Sequence, residues 1–197
     1  MTGATATDLL RELEARGAIL GGHFRLSSGR HSNRFVQKFR ILEDPVLVER
    51  VAAALAAFAR ALPNPPTVVV SAAVGGIVLG YETARQLGTL GIFVEKENGA
   101  PVLRRGFTLG TGDRAFVVED VVTTGGSVRE VLGVVRACGA AVAGVGIIVS
   151  RAHSDFGVPA TALLELPIES FDPAACPQCA AGDPITEPGS RFLGAKG

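Results

Sequence analysis

Residues 117–127 read VVEDVVTTGGS: two adjacent carboxylates, Glu119 and Asp120, end an apolar run, and a turn rich in hydroxyls and glycine follows. Carboxylates repel a phosphate, whereas such a turn suits one, so a ligand that meets both has two chemically different ends. Between a buried strand and a helix, the backbone N–H groups of Thr123, Thr124, Gly125, Gly126 and Ser127 converge where the helix dipole favours an anion. The two acids accept hydrogen bonds, and a vicinal diol, whose hydroxyls donate, is their natural target. Adjacent strand side chains point to opposite faces, so at most one acid faces a given ligand. Diol plus phosphate monoester describes a ribose 5-phosphate moiety.

Plainer readings exist. Ser127 and Glu130 spell an S-x-x-E capping box, in which the serine serves only its own helix. A helix start leaves several amides unpaired, more than one serine satisfies, so capping and phosphate binding are compatible. Either acid could also sit in a surface salt bridge, although both follow an apolar run at the mouth of a parallel sheet, where ligands gather. The turn is neither a Walker A loop nor a dinucleotide fingerprint, since G-x-x-x-x-G-K-[ST] is absent and G-x-G-x-x-G does not follow the first strand.

The elements that must position this turn alternate. Thr7 or Asp8 starts a short helix through Leu9, Leu10 and Leu13 that ends at Gly17. In GGHFRLSSGRHSNRFVQK, extended pieces flank the turn-forming SSGRHSN and predict a hairpin or looped arm. Asp44 and Pro45 start a helix with Val46, Leu47, Val51, Leu55, Phe58 and Leu62 on its apolar face, up to PNPP. TVVVSAAVGG reads as strand and glycine turn, GIVLGYETARQLG as a helix, and GIFVEK as a strand. ENGAPVLRRG reads as an exposed hairpin or flexible loop. RAFVVED is the strand before the quoted turn, SVREVLGVVRACG the helix after it, and AVAGVGIIVSR and TALLELPI are further strands. This order predicts an α/β fold with a mainly parallel central sheet flanked by helices and sites at the carboxyl ends of its strands.

The bulk numbers agree. With 197 residues, 47% hydrophobic and 19% charged, the chain is long enough for one well-buried domain spanning 1–197. A formal net charge of zero gives no general attraction to nucleic acid or an anionic membrane. The N-terminus lacks the pattern of a signal peptide, and no apolar run reaches the ~18 residues that span a bilayer, so a cytoplasmic protein is expected. Three cysteines are too few for a secreted disulfide scaffold.

VVEDVVTTGGS is similar along its whole length to the phosphoribosyl pyrophosphate signature of the type I phosphoribosyltransferases. HFRLSSGRHSNRFVQK, VVSAAVGGIVLGYETARQLG, FVEKENGAPVLRRGF and GVGIIVSR, in that order, resemble orotate phosphoribosyltransferase, from about residue 20 to about 190. The resemblance implies Mg²⁺-dependent transfer of phosphoribose from 5-phosphoribosyl 1-pyrophosphate to orotate, giving orotidine 5′-monophosphate and pyrophosphate in pyrimidine synthesis. It implies a type I fold with a small hood from residues 1–40, to which the C-terminal segment can add, a mobile loop at 96–106, and a homodimer in which this loop reaches the neighbouring site.

Carried over, Glu119 and Asp120 meet the ribose hydroxyls, the 123–127 loop holds the donor's 5′-phosphate, and Val121 and Val122 between them belong to the same donor-binding stretch. Thr123 and Arg151 meet orotate, whose carboxylate an arginine grips bidentately. Lys96, otherwise a solvated lysine, screens charge on the departing pyrophosphate. Residues 71–76, SAAVGG, match the pyrophosphate loop, where small residues let backbone amides approach. Some relatives carry lysine where this chain has Val74 and Ser27, and arginine where it has Glu95; Arg104 or Arg105 is then expected to share the screening. Magnesium is expected on substrate oxygens, with no dedicated protein metal site.

Cys176-Pro177-Gln178-Cys179 has the spacing of half a zinc site, which a second pair would have to complete; a disulfide or two plain thiols is the simpler expectation. His23 and His31 have no assigned role. The competing functions are a purine-base phosphoribosyltransferase, a non-catalytic sensor of the same donor on the same fold, and an interaction domain with a degenerate site.

Overall fold

The computed structural model describes residues 6–188. They fall into two compact units, one formed by the chain up to Gln37 together with the chain from Pro167 onward, the other by Lys38–Leu166.

In the larger unit, α2 (Phe39–Leu42) precedes α3 (Pro45–Arg60). The Asp44 side chain accepts from the Val46 and Leu47 amides, so the expected cap of α3 forms, with Pro45 where its missing N–H costs nothing. Leu47, Val51, Leu55 and Leu62 are buried, but Val46 is 65% exposed. One helical step rotates Val46 about 100° away from Leu47, off the apolar stripe.

Strands β3 (Val68–Ala72), β4 (Leu90–Glu97), β5 (Ala100–Leu103), β6 (Arg114–Val122), β7 (Ala141–Ser150) and β8 (Ala160–Glu165) form one sheet, ordered β5-β4-β3-β6-β7-β8. Every pairing is parallel except β4 with β5, as the alternation of strands and helices predicts. Helices α4 (Gly76–Leu87) and α5 (Gly126–Ala137) connect them. From β3 the chain moves to β4 on one side, and β6 lies on β3's other side, so the strand order reverses between β3 and β6. At such a switch point the carboxyl ends of neighbouring strands open a crevice.

The side-chain alternation of β6 sets which residue meets which layer. Ala115 and Val117 join the cluster of Val128, Val131, Leu132 and Val135 from α5. Phe116 lies on the opposite face, its ring 6.2 Å from Phe58 of α3. Burying a side chain of Phe116's size contributes about 1.5–3 kcal/mol, whereas exposed pairs such as Arg85–Glu49 are screened by water, so apolar packing holds the sheet.

ENGAPVLRRG is a hairpin: Val94–Glu97 pair with Ala100–Leu103 across Asn98-Gly99, at φ 51° and 84°. Positive φ at both positions matches a two-residue turn whose twist suits the strands.

The smaller unit contains α1 (Ala6–Ala15), the antiparallel strands β1 (Ile19–Arg25) and β2 (His31–Val36), β9 (Ser170–Phe171) and the short helix α6 (Pro177–Ala180). The expected N-terminal helix and hairpin are both present.

Candidate active site

The two acids do not end their strand. β6 continues through Val121 and Val122, which pair with Val149 and Ser150 of β7. Glu119 and Asp120 therefore alternate within a paired strand, and both are buried, at 6% and 1% exposure. Among the described residues Glu119 makes no salt bridge, and Asp120 pairs with Lys38 from a buried position rather than at the surface.

Glu119 lies on the α5 side. With Val121–Val128 it lines a cleft of about 140 Å³. Its Oε1 accepts from the Asp120 amide at 3.2 Å. Burial, and then the adjacent Asp120 charge, push its carboxyl up to about 8.

Asp120 lies on the other face, toward the turn after β3. Its Oδ1 accepts from the Val121 amide at 2.7 Å and from Lys38 Nζ at 3.3 Å. Lys38 Nζ is 2.9 Å from Oδ2, close enough to neutralise it, although no donor is aligned on Oδ2. A Cβ on Gly75 would lie 2.3 Å from both Asp120 Oδ2 and Lys38 Nζ. Only glycine admits the chain beside this ion pair, which gives the 71–76 loop a steric reason for its composition. The Ala73–Val74 peptide is cis.

The TTGGS turn differs from the capping-box expectation. The residue that caps α5 is Gly125, at φ 79°, without any side-chain hydrogen bond to the helix. Ser127 is already inside the helix, and the Glu130 carboxylate pairs with Lys96 Nζ at 3.0 Å. The box fails because a left-handed glycine starts the helix two residues early. Thr123, Thr124, Gly126 and Ser127 are exposed at its mouth. Arg129 braces the turn from behind, donating to the Thr124 carbonyl at 2.5 Å and lying 5.4 Å from the Phe156 ring.

Arg151 follows β7, its amide donating to the Val122 carbonyl. Burial pulls its guanidinium below the ordinary arginine value, and its buried Nε has no hydrogen-bond partner among the described residues. An unpaired, partly desolvated guanidinium fits an incoming anion. Arg104 pairs with Glu97 at 3.1 Å and Arg105 with Glu95 at 2.8 Å, so both loop arginines are engaged by their own hairpin.

The sequence reading missed Lys38 and Arg129. Lys38 ends the quoted FVQK segment, but its partner is 82 residues away. Arg129 sits inside the helix that follows the motif, where only the fold shows that it bends back to the turn.

Residues 40–163 match the family model described as the phosphoribosyl transferase domain. The chain is 47% identical over 191 residues to an orotate phosphoribosyltransferase of Pelotomaculum thermopropionicum, covering 96% of this chain and 100% of that one. It is also 47% identical over 183 residues to an orotate phosphoribosyltransferase of Thermotoga petrophila, covering 92% and 97%. The chain belongs to the orotate phosphoribosyltransferase family. Among solved structures, an orotate phosphoribosyltransferase from Aeropyrum pernix has a TM-score of 0.66 at 29% identity over 80% of this chain and 93% of that one. An adenine phosphoribosyltransferase from Thermoanaerobacter pseudethanolicus, at TM-score 0.58 and 17% identity over 68% and 88%, shares the fold alone. The fold is thus common to enzymes named for different bases, while the full-length relatives at 47% identity make this chain a transferase of the orotate phosphoribosyltransferase family.

Proposed function

We propose that the protein transfers the phosphoribosyl group of 5-phosphoribosyl 1-pyrophosphate to orotate, giving orotidine 5′-monophosphate and pyrophosphate for pyrimidine nucleotide synthesis. The observation that carries this reading is the uncapped, left-handed start of α5 immediately after two buried acids on opposite faces of β6.

The donor's 5′-phosphate takes the amides of Thr123–Ser127 at the start of α5, where Gly125 supplies no side-chain cap. Glu119 lines the same cleft and meets the ribose hydroxyls, while Asp120 faces the 71–76 loop that receives the pyrophosphate. A ring nitrogen of orotate attacks the anomeric carbon from the face opposite pyrophosphate, the carbon–oxygen bond to pyrophosphate breaks, and the nitrogen's proton leaves to solvent. Positive charge builds on the sugar near the carboxylates, and negative charge on the leaving group near Lys96. Thr123 reads an edge of the orotate ring, and Arg151 donates to its carboxylate, which favours orotate over a purine lacking that group.

Hard carboxylate oxygens suit magnesium. Lys38 Nζ, 2.9 Å from Asp120 Oδ2, has to give way before that acid binds a cation directly, and burial disfavours the charged form of Glu119. Substrate oxygens would then be its main ligands, with Glu119 and Asp120 reached through water, and magnesium bound there would neutralise pyrophosphate charge.

The same reading includes a homodimer in which residues 96–106 cover the neighbouring site and exclude water. Exposed Val74, Val78 and Tyr81, at i, i+4, i+7 spacing along α4 and the turn before it, support an apolar contact face. A cytoplasmic setting is supported by the three free thiols.

The test is pyrophosphate release by purified protein supplied with the donor, magnesium and a panel of bases. Release with orotate alone is expected. Release only with adenine, guanine or xanthine, or with no base at all, overturns the assignment.

A further inference from the structure

The cysteine pair near the C-terminus has its second pair in the N-terminal hairpin. His23, His31, Cys176 and Cys179, all in the smaller unit, direct one potential ligand atom each into a cluster whose members lie within 4.8 Å of one another. Local irregularity builds it. The register of β1 on β2 shifts between Gly21 and Phe24, so β1 carries a bulge there. Consecutive His23 and Phe24 are both buried, at 5% each, which a regular strand, alternating its faces, does not allow. The bulge turns His23 inward, toward His31 at the start of β2. Cys176 stands just before α6 and Cys179 inside it, one turn apart on the same side.

Four of the six separations are close to those of ligands around one ion. Bond lengths of about 2.0–2.1 Å to nitrogen and 2.3 Å to sulfur in a tetrahedron imply edges of about 3.3 Å for N–N and about 3.5 Å for N–S. His23 Nε2 is 3.0 Å from His31 Nδ1, 3.5 Å from Cys176 Sγ and 3.6 Å from Cys179 Sγ. Cys179 Sγ is 3.2 Å from His31 Nδ1.

Hydrogen bonding within the cluster does not satisfy it. His23 Nδ1 lies 3.0 Å from the Asp183 carbonyl, which only accepts, so Nδ1 carries the ring proton and Nε2 has a single lone pair. Three atoms converge on that lone pair, and it accepts from one donor well. A central cation satisfies all four groups together. The Nδ1–H bond to a backbone carbonyl is also the contact that orients a metal-bound histidine.

We propose that His23, His31, Cys176 and Cys179 bind one structural zinc ion. Four protein ligands fill a tetrahedron and leave no open position, which marks the site as structural rather than catalytic. Two thiolates and two imidazoles suit zinc, whereas magnesium prefers oxygen. The unit has reason to need it. Its buried apolar side chains among the described residues are Leu9, Leu13, Ala18, Ile19, Phe24 and Cys176, a small core for a fold made from two distant chain segments. Small cores are commonly completed by a metal or disulfides. Zinc joins residues 23 and 31 to 176 and 179, beside the main-chain bonds from Thr186 N to His23 O and from Arg25 N to Thr186 O.

The experiment is metal analysis of the full chain purified without chelator, followed by replacement of the bound metal with cobalt(II). One zinc per chain is expected, with cobalt giving the visible bands of a tetrahedral site and thiolate-to-cobalt charge transfer. Removing zinc with a chelator should lower the Tm, and zinc should restore it. Cys179→Ser, at the exposed ligand, should lose stoichiometric zinc; zinc retained at one per chain in this variant overturns the assignment. If the variant does not fold, the cobalt spectrum of the unaltered protein decides. Freshly purified protein that neither carries zinc nor takes up cobalt, or that contains a Cys176–Cys179 disulfide, also overturns it.

Discussion

The ammonium of Lys38 lies 2.9 Å from Oδ2 of Asp120, a carboxylate only 1% exposed and 82 residues away in the chain. Removing one partner of a fully buried pair costs about 3–5 kcal/mol because the other is left uncompensated. Lys38 is itself 37% exposed, so water screens part of that loss. Lys38→Ala should destabilise the protein by about 1–3 kcal/mol in denaturant unfolding. It should also lower kcat/KM for the donor, because Asp120 loses the charge that holds it in place. A variant as stable and as active as the parent would show that this pair is incidental.

Glu119 makes ligand-free stability depend on pH. Its folded value of about 8 lies above the ordinary 4.5. Between these limits the folded protein retains a proton that the unfolded chain has lost, so stability falls as pH rises. The contribution is complete below about 4.5 and is gone above about 8. From pH 5 to 8 the Tm should drop more steeply for the parent than for Glu119→Gln, which has no proton to lose. Parallel Tm curves would mean that Glu119 is ionised throughout.

Gly125 holds open the turn proposed to take the donor's phosphate. At φ 79° any other residue is strained, and an added Cβ would lie 2.9 Å from both the Arg129 guanidinium and the Phe156 ring. Gly125→Ala should raise KM for the donor at least about tenfold, equivalent to about 1.4 kcal/mol, while the orotate KM changes little. Equal changes in both constants would indicate general disruption rather than a damaged phosphate site.

Lys96 is held by Glu130 in an exposed pair worth under about 1 kcal/mol, weak enough to open when the donor arrives. Lys96→Ala should therefore leave the Tm nearly unchanged and orotate binding intact, but lower kcat about 10- to 100-fold, the size expected for one charge-stabilising contact. An unchanged kcat would assign Lys96 to the surface and leave the leaving group to other cations.

The ligand-facing turn was legible in sequence because its chemistry is local: two acids, two apolar residues and TTGGS lie within eleven positions. The parallel sheet was legible from alternating strands and helices. What escaped depends on contacts between distant segments. Pairing of Val121 and Val122 with β7 extends the strand past both acids, a tertiary effect that the S-x-x-E spelling of the helix start could not anticipate. Lys38 finds Asp120, and His23 finds Cys176, only after the chain has folded. A bulge places His23 beside Phe24 in the interior against the two-residue alternation on which strand reading rests.

On the proposed reading, Arg151 separates recognition of orotate from recognition of the donor. Its Nε is buried and unpaired among the described residues, and desolvation already disfavours its charge, so an anion that arrives there gains more than it would at the surface. A charge-assisted hydrogen bond contributes about 1.5–3 kcal/mol. Arg151→Gln should raise KM for orotate by about 10- to 150-fold with the donor KM little changed. Lysine keeps the charge but not the planar fork, so Arg151→Lys should recover only part of the loss. Uracil, the same ring without the carboxylate, should be a poor substrate for the parent and should lose little further in Arg151→Gln. If the variant impairs uracil and orotate equally, Arg151 supports the end of β7 and the orotate carboxylate is bound elsewhere.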